Sequence, residues 1–188
     1  MAVEIEAKMK VANLESGRAR LREHGAERVG AHFEVNEFFD TEDRTLLAAD
    51  KGLRLRRSRD DQTAEEKFVI TFKGPRQHGQ LKSREEDEVA VASFDDARRL
   101  LHALGYVTIL SFEKRRESWE LGNCKIELDE LPLLGTFVEI EGPRDQDVLN
   151  VRELLRLADH PLIKTGYAAL LSTHLQEQGR TQPVVKFG

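Results

Sequence analysis

Glu4, Glu6, Lys8 and Lys10 alternate with Val3, Ile5, Ala7, Met9 and Val11 in VEIEAKMKV. Successive side chains of an extended chain point to opposite faces, so two carboxylates and two ammonium groups share one side. The pattern recurs along the chain. Arg54 and Arg56 share a face of LRLRRSR, Lys73 closes EKFVITFKG, and Arg84, Glu86 and Glu88 line SREEDEVAV. Lys114 and Arg116 lie on one side of SFEKRRESWEL, Glu127 and Asp129 on one side of CKIELDEL, and Glu139 and Glu141 on one side of TFVEIEG. Carboxylates two apart on a strand are separated by about 7 Å, and hard oxygen donors in pairs suit Mg²⁺ or Mn²⁺. Guanidinium groups fork onto phosphate oxygens, and lysines add point charge. Cations for a polyanion beside carboxylates for its metals point to metal–polyphosphate chemistry. There is no GxxxxGK[ST] loop, so side chains would form the cradle.

These residues need strands to hold them. Alternation and turn residues predict strands at 3–11, 32–40, from 53, 66–74, 83–91, 111–121, 124–131 and 136–142. Helices are predicted from Asn13 to Gly25, from Ser93 to Gly105, and over 145–158 and 166–178, with Ser93 and Asp96 at the capping-box interval. Taken singly, each alternating strand reads as half-solvated sheet with its charges in water. Eight such strands with only four helices favour another arrangement. An eight-stranded antiparallel closed β-barrel in an α+β fold leaves no open edge, and helices packed on the outside take the apolar faces. The charged faces then point into a tunnel. Buried unpaired charge costs several kcal/mol each, so such a lining persists only if its charges compensate one another or hold a charged ligand. Residues 1–178 are expected to form this one domain, and 179–188 a loose C-terminal tail.

Several residues have plainer roles. Trp119, Phe38 and Phe39 are expected to pack in the core, and Cys124 to be a small buried residue. Arg57, Arg59, Glu113 and Arg115 fall on the opposite parity or beyond strand ends and read as surface charge. Asp40 suits either the tunnel mouth or a turn cap. Lys10 lies near a tunnel end.

The composition narrows the class. Of 188 residues 34% are charged, yet the net charge is only -5, which argues against a nucleic-acid binder with its basic excess. One cysteine excludes an intramolecular disulfide, and six histidines without ligand spacing argue against zinc. No apolar run approaches the roughly 20 residues that span a bilayer, and no signal-peptide pattern opens the chain. A cytoplasmic protein without nucleic-acid or membrane partners is expected. Barrels of this size often dimerise, and a homodimer stays open.

EIEAKMKV resembles the ExExK signature of the CYTH superfamily, the triphosphate tunnel metalloenzymes. FFDT, GLRLR, TFKG, REEDEV, EKRR, IELDEL and GTFVEIEG follow in the family's order, and LGTFVEIEG and FEKRR look most like the bacterial class IV adenylyl cyclase branch. The resemblance implies an eight-stranded tunnel barrel acting on triphosphates with Mg²⁺ or Mn²⁺. It implies that Glu4, Glu6, Asp129, Glu139 and Glu141 hold metal, and that Lys8, Arg54, Arg56, Lys73, Arg84, Lys114 and Arg116 bind the triphosphate. Glu4, Glu6 and Lys8 would be the catalytic strand, and Arg84 would bind phosphate or pair with Glu86. Glu88 and Glu127 would partner nearby bases. Where the family often has Ser-Tyr, this chain has Gly166 and Tyr167.

The implied activities are cyclisation of ATP to 3′,5′-cyclic AMP, or hydrolysis of inorganic triphosphate or thiamine triphosphate. A non-catalytic polyphosphate or nucleotide module is a third option, which the intact carboxylate pairs oppose. A nucleic-acid-binding barrel is a distant fourth, since it wants exposed aromatics.

Overall fold

The computed structural model describes residues 2–77, 79, 81–180 and 183–188, and for residues 2–4 the backbone alone. The elements run β1 (Ala2–Val11), α1 (Glu15–Glu23), β2 (Glu27–Asp40), α2 (Thr45–Ala48), β3 (Gly52–Asp60), β4 (Glu66–Gln77) and β5 (Lys82–Val91). They continue through α3 (Phe94–Ala103), β6 (Val107–Leu121), β7 (Cys124–Leu131), β8 (Gly135–Gly142), α4 (Asp145–Leu154), α5 (Tyr167–Glu177) and β9 (Val184–Val185). The sheet order is β2-β3-β4-β5-β1-β8-β7-β6, and β2 pairs again with β6, so eight antiparallel strands close into a ring. Closure gives each of the eight strands two neighbours in the ring.

The register carries the charged parity around the inside. Lys8 lies opposite Glu139, Glu139 opposite Glu127, Asp129 opposite Arg116, and Lys114 opposite Glu34. The other parity faces helices. Ala7, Met9, Ile126, Leu128 and Ile140 pack with Leu21 of α1 and with Val148, Val151 and Leu155 near α4. Leu53 and Leu55 pack on Phe94, Ala97 and Leu101 of α3. Trp119 is 3% exposed within the first of these clusters, and Cys124 is buried there too.

Local chemistry starts the helices. The Asn13 side chain accepts from the Glu15 and Ser16 amides, and Ser93 Oγ accepts from the Asp96 amide at 3.2 Å. These bonds satisfy donors that a helix start leaves without partners. Gly105 ends α3 at φ 91°, a left-handed conformation that glycine adopts without a Cβ clash. The 41–51 connection contains the short α2. Asp40 caps it by accepting from the Thr41, Leu46 and Leu47 amides, the turn-cap role among the two the sequence offered.

Four differences from the sequence expectation stand out. β2 starts at Glu27, five residues early, and β6 at Val107. These are the long strands whose mutual pairing closes the ring, so their length follows the partner and not local alternation. β4 extends to Gln77 by pairing across a register shift with β5. The expected loose tail instead carries β9, which pairs in parallel with Ser111 and Phe112. Val185 is 5% exposed among Leu110, Phe112 and Leu175, and Phe187 donates its amide to Glu113 and lies under Arg115. Three apolar residues in VVKF, unremarkable alone, find a site that only the folded β6 provides.

At one end the inward parity becomes apolar. Phe38, Phe112, Leu131 and Phe137 pack against Tyr167, Leu171 and Leu175, so α5 lies across that end. Val185→Ala is expected to lower unfolding stability by roughly 1–3 kcal/mol, the usual range for removing buried methyl groups. Urea denaturation measures it, and an unchanged midpoint would show that the tail does not dock.

Candidate functional site

The ring interior is a lattice of opposite charges. Lys8 Nζ sits 3.0 Å from Glu139 and 3.4 Å from Glu6, and Lys82 Nζ is 2.8 Å from the same Glu6. Arg116 forks onto both oxygens of Asp129 at 2.7 and 2.6 Å and also reaches Glu139. Lys114 lies 3.1 Å from Glu34 and 3.5 Å from Asp129. Arg56 contacts Glu34 at 3.2 Å and donates Nε to Asn36. Arg54 donates to Thr71 at 2.8 Å, and Thr71 donates to Glu88. Tyr167, at the start of α5, donates its phenol to Asp129 at 2.9 Å, and Lys8 lies over its ring. The segment before α5 also enters. Among the described residues the β1–β5 pairing ends at Glu6 and Lys82; further along β1, Ile163 donates its amide to the Lys8 carbonyl. Lys8 Nζ then donates to the Thr165 carbonyl.

Burial makes these pairings decisive. Lys8, Glu34, Lys114, Glu127 and Asp129 are each at most 2% exposed. Burial pulls Lys8 down, but Glu139 and Glu6 outweigh it and hold the ammonium above its ordinary value. Burial pushes Glu34 up, yet Arg56 and Lys114 hold its carboxyl well below the usual range. Glu139 is likewise depressed, with burial opposed by Lys8 and Arg116. The opposite wall is short of negative charge. Burial and next Arg116 leave Lys114 below its ordinary value despite Asp129 and Glu34. Burial and next Arg56 bring Arg54 down to about 10. An incoming polyanion would relieve both. Burial, then Asp129 and Glu139, raise the Tyr167 phenol well above its ordinary value, so it stays a proton donor.

The structure gathers Glu6, Lys8, Arg54, Arg56, Lys114, Arg116, Asp129 and Glu139 in one interior. The side chain of Glu4 lies outside the described residues; its backbone pairs with Arg84. Lys73 pairs with Glu86. Arg84 turns instead to Asp50, at 3.5 Å from the carboxylate and 3.2 Å from the carbonyl. Glu141 is half-buried opposite Glu6 and beside Lys125, whose ammonium it helps to raise. Glu127 accepts from Ser118 at 2.6 Å and pairs with Lys125, a partner of bases. Lys10 is exposed, near the Phe137 ring. Glu34, Asn36, Thr71 and Lys82 line the interior without having been singled out from sequence. Glu34 and Asn36 do alternate in HFEVNEFF, but one carboxylate beside one amide gives no paired-charge signal.

The carboxylates suit a hard divalent cation by chemistry. Glu6 and Glu139 both converge on the Lys8 ammonium, so the two reach one positive charge from adjacent strands. Among the described residues no three His, Cys, Asp or Glu side chains surround a single point. Glu6, Glu139 and Asp129 are each held by a cation of the lining.

Glu34 and Glu139 set an acid limit. Their folded values lie below the ordinary 4.5, so the unfolded chain binds protons first as pH falls. The stability they contribute is full above about pH 4.5 and is lost as pH drops through their folded values. Urea midpoints are therefore expected to be flat from pH 7 to 5 and to fall between pH 4.5 and 3. A midpoint that holds constant down to pH 3 would contradict the pairing.

"Putative adenylate cyclase MJ0240" of Methanocaldococcus jannaschii is 24% identical over 177 residues, covering 89% of this chain and 98% of that protein. The PH1819 protein of Pyrococcus horikoshii OT3 shares the fold with a TM-score of 0.79 at 27% identity, over 91% of this chain and 99% of that one. HpAC1 of Hippeastrum, described as a putative adenylyl cyclase with a dominant triphosphatase activity, gives a TM-score of 0.63 at 20% identity, over 97% and 98%. The CYTH domain model matches residues 2–165, and with most of its length inside that match the chain belongs to the CYTH domain family.

Proposed function

We propose that this chain is a metal-dependent triphosphate enzyme of the class IV adenylyl cyclase kind, converting ATP to 3′,5′-cyclic AMP and pyrophosphate. The observation that supports it is a closed ring lined by Lys8, Arg54, Arg56, Lys114 and Arg116, whose counter-ions are the carboxylates of neighbouring strands. The choice of cyclase rests on the name of the Methanocaldococcus relative. Lys114, Arg116 and Arg56 would neutralise the phosphate chain, and the bidentate Arg116 would trade one carboxylate partner for phosphate oxygens. Tyr167 would hold Asp129 through its phenol. Bound Mg²⁺ or Mn²⁺, held by Glu4, Glu6, Asp129, Glu139 and Glu141, would supply Lewis-acid charge to the phosphates. In the reaction the ribose 3′-oxygen bonds to the α-phosphorus, and the bridging oxygen leaves with pyrophosphate. The protein contributes position and charge. No helix among the described residues is long and apolar enough to cross a membrane, and a cytoplasmic location is part of the proposal.

The activity of HpAC1 favours a second reading, hydrolysis of inorganic or thiamine triphosphate at the terminal phosphorus in the same cradle. Incubation with ATP, inorganic triphosphate and thiamine triphosphate, with Mg²⁺ or Mn²⁺, separates the two. Cyclic AMP and pyrophosphate from ATP are expected. Orthophosphate as the main product would replace the cyclase with the hydrolase, and binding without turnover would leave a binding module.

Lys8→Met tests the metal ligands without turnover. It leaves Glu6 and Glu139 facing each other without their shared ammonium. The thermal midpoint in EDTA is expected to fall below that of the unaltered protein, and Mg²⁺ to raise it by a larger step than in that protein. Equal Mg²⁺ steps in both would contradict the assignment of Glu6 and Glu139 to metal.

A further inference from the structure

Glu34 has no place in the chemistry above, yet it is 2% exposed in the middle of the lining. Its Oε1 is 3.2 Å from Arg56, and its Oε2 is 3.1 Å from Lys114. Asn36 buttresses the arrangement by donating to Glu34 at 3.4 Å and accepting from Arg56 Nε at 2.8 Å. Glu34 shares the Lys114 ammonium with Asp129, as Glu6 and Glu139 share that of Lys8, and adds the Asn36 amide. Arg56 and Lys114 are the groups the cradle would offer to phosphate, and Glu34 spans both in the manner of a phosphate's oxygens.

We infer that Glu34 is a positioning residue, a resident counter-anion that occupies Arg56 and Lys114 in the empty tunnel and competes with the phosphate chain for them. The inference rests on the triphosphate reading above. With Glu34 in place, the two cations stay ordered and solvated by charge before substrate arrives. A bound phosphate must share them with a fixed carboxylate, and like charges at close quarters weaken binding. Affinity is thereby held down, and the pyrophosphate product leaves more readily. The substrate phosphates gain only the excess of their own attraction over that of Glu34.

The test is calorimetric titration of the full chain with pyrophosphate in Mg²⁺ buffer, together with steady-state kinetics on ATP. Glu34→Gln keeps the shape, removes the charge and leaves one oxygen to accept where the carboxylate had two. It is expected to bind pyrophosphate about tenfold or more tighter, to lower KM by a similar factor, and to lower kcat as product release slows. Glu34→Asp keeps the charge but draws it back from both cations, and is expected to fall between the original and Glu34→Gln in affinity and KM. A purely structural Glu34 would lower the melting temperature and leave KM unchanged or raised. Unchanged or weaker pyrophosphate binding by folded Glu34→Gln overturns the inference. If Glu34→Gln does not fold, Glu34→Asp decides: its carboxylate is drawn back from both cations, so binding tighter than the original supports the inference and unchanged binding overturns it. An original protein that binds neither pyrophosphate nor triphosphate overturns the functional reading, and this inference with it.

Discussion

Closing a sheet into a ring turns one face of its strands away from bulk water along much of their length, and here that face is largely charged. A buried charge without a partner costs several kcal/mol, so each side chain on the inward parity must meet its opposite across a strand boundary. Lys8 against Glu139, Lys114 against Glu34 and Arg116 against Asp129 satisfy that demand through register. A slip of one residue would turn the whole set to the other face. The lining is thus fixed by backbone pairing before any ligand is considered. The same pairing orders the lysines and arginines, whose long side chains lose the most rotamer freedom when held.

This economy of opposite charges also explains why the interior is not neutral in its tendencies. On the β1–β8 side, Lys8 has carboxylates to spare and keeps its proton firmly. Toward β3 and β6, cations crowd one another, and Arg54 and Lys114 are held below their ordinary values. One wall therefore leans toward a cation and the other toward an anion.

Much of this was legible from alternation. β7 has the boundaries expected from CKIELDEL, because GN at 122–123 and the residues after Leu131 punctuate it on both sides. The carboxylate and cation strands were likewise legible, since paired charges two apart leave little doubt about which residues share a face. Three features were not. β2 and β6 run past their own alternation because each is the other's partner in closing the ring. Glu34 and Asn36 carry an inward role that depends on Lys114, eighty residues away, and on Arg56. The VVKF tail looks like many solvated termini until β6 and Phe33 give it a surface. Each miss concerns a residue whose role is set by something distant in the chain.

The position of β1 in the ring has a consequence for how the molecule is made. β1 precedes the other strands of the ring in sequence yet lies between β5 and β8, and its Lys8 carbonyl waits for the amide of Ile163. Before the later strands exist, the early ones can form only an open sheet, in which Arg56 can already meet Glu34 and Lys82 can meet Glu6. Arg116 and Lys114 acquire Asp129, and Lys8 acquires Glu139, only when the later strands arrive. Nearly all contacts that complete the ring join residues far apart in sequence, the condition that makes β-rich folding slow. Until then the polar face stays hydrated, and that hydration keeps the incomplete sheet from collapsing on itself. The charges that line the finished interior are in this sense also guardians of the chain while it is still open.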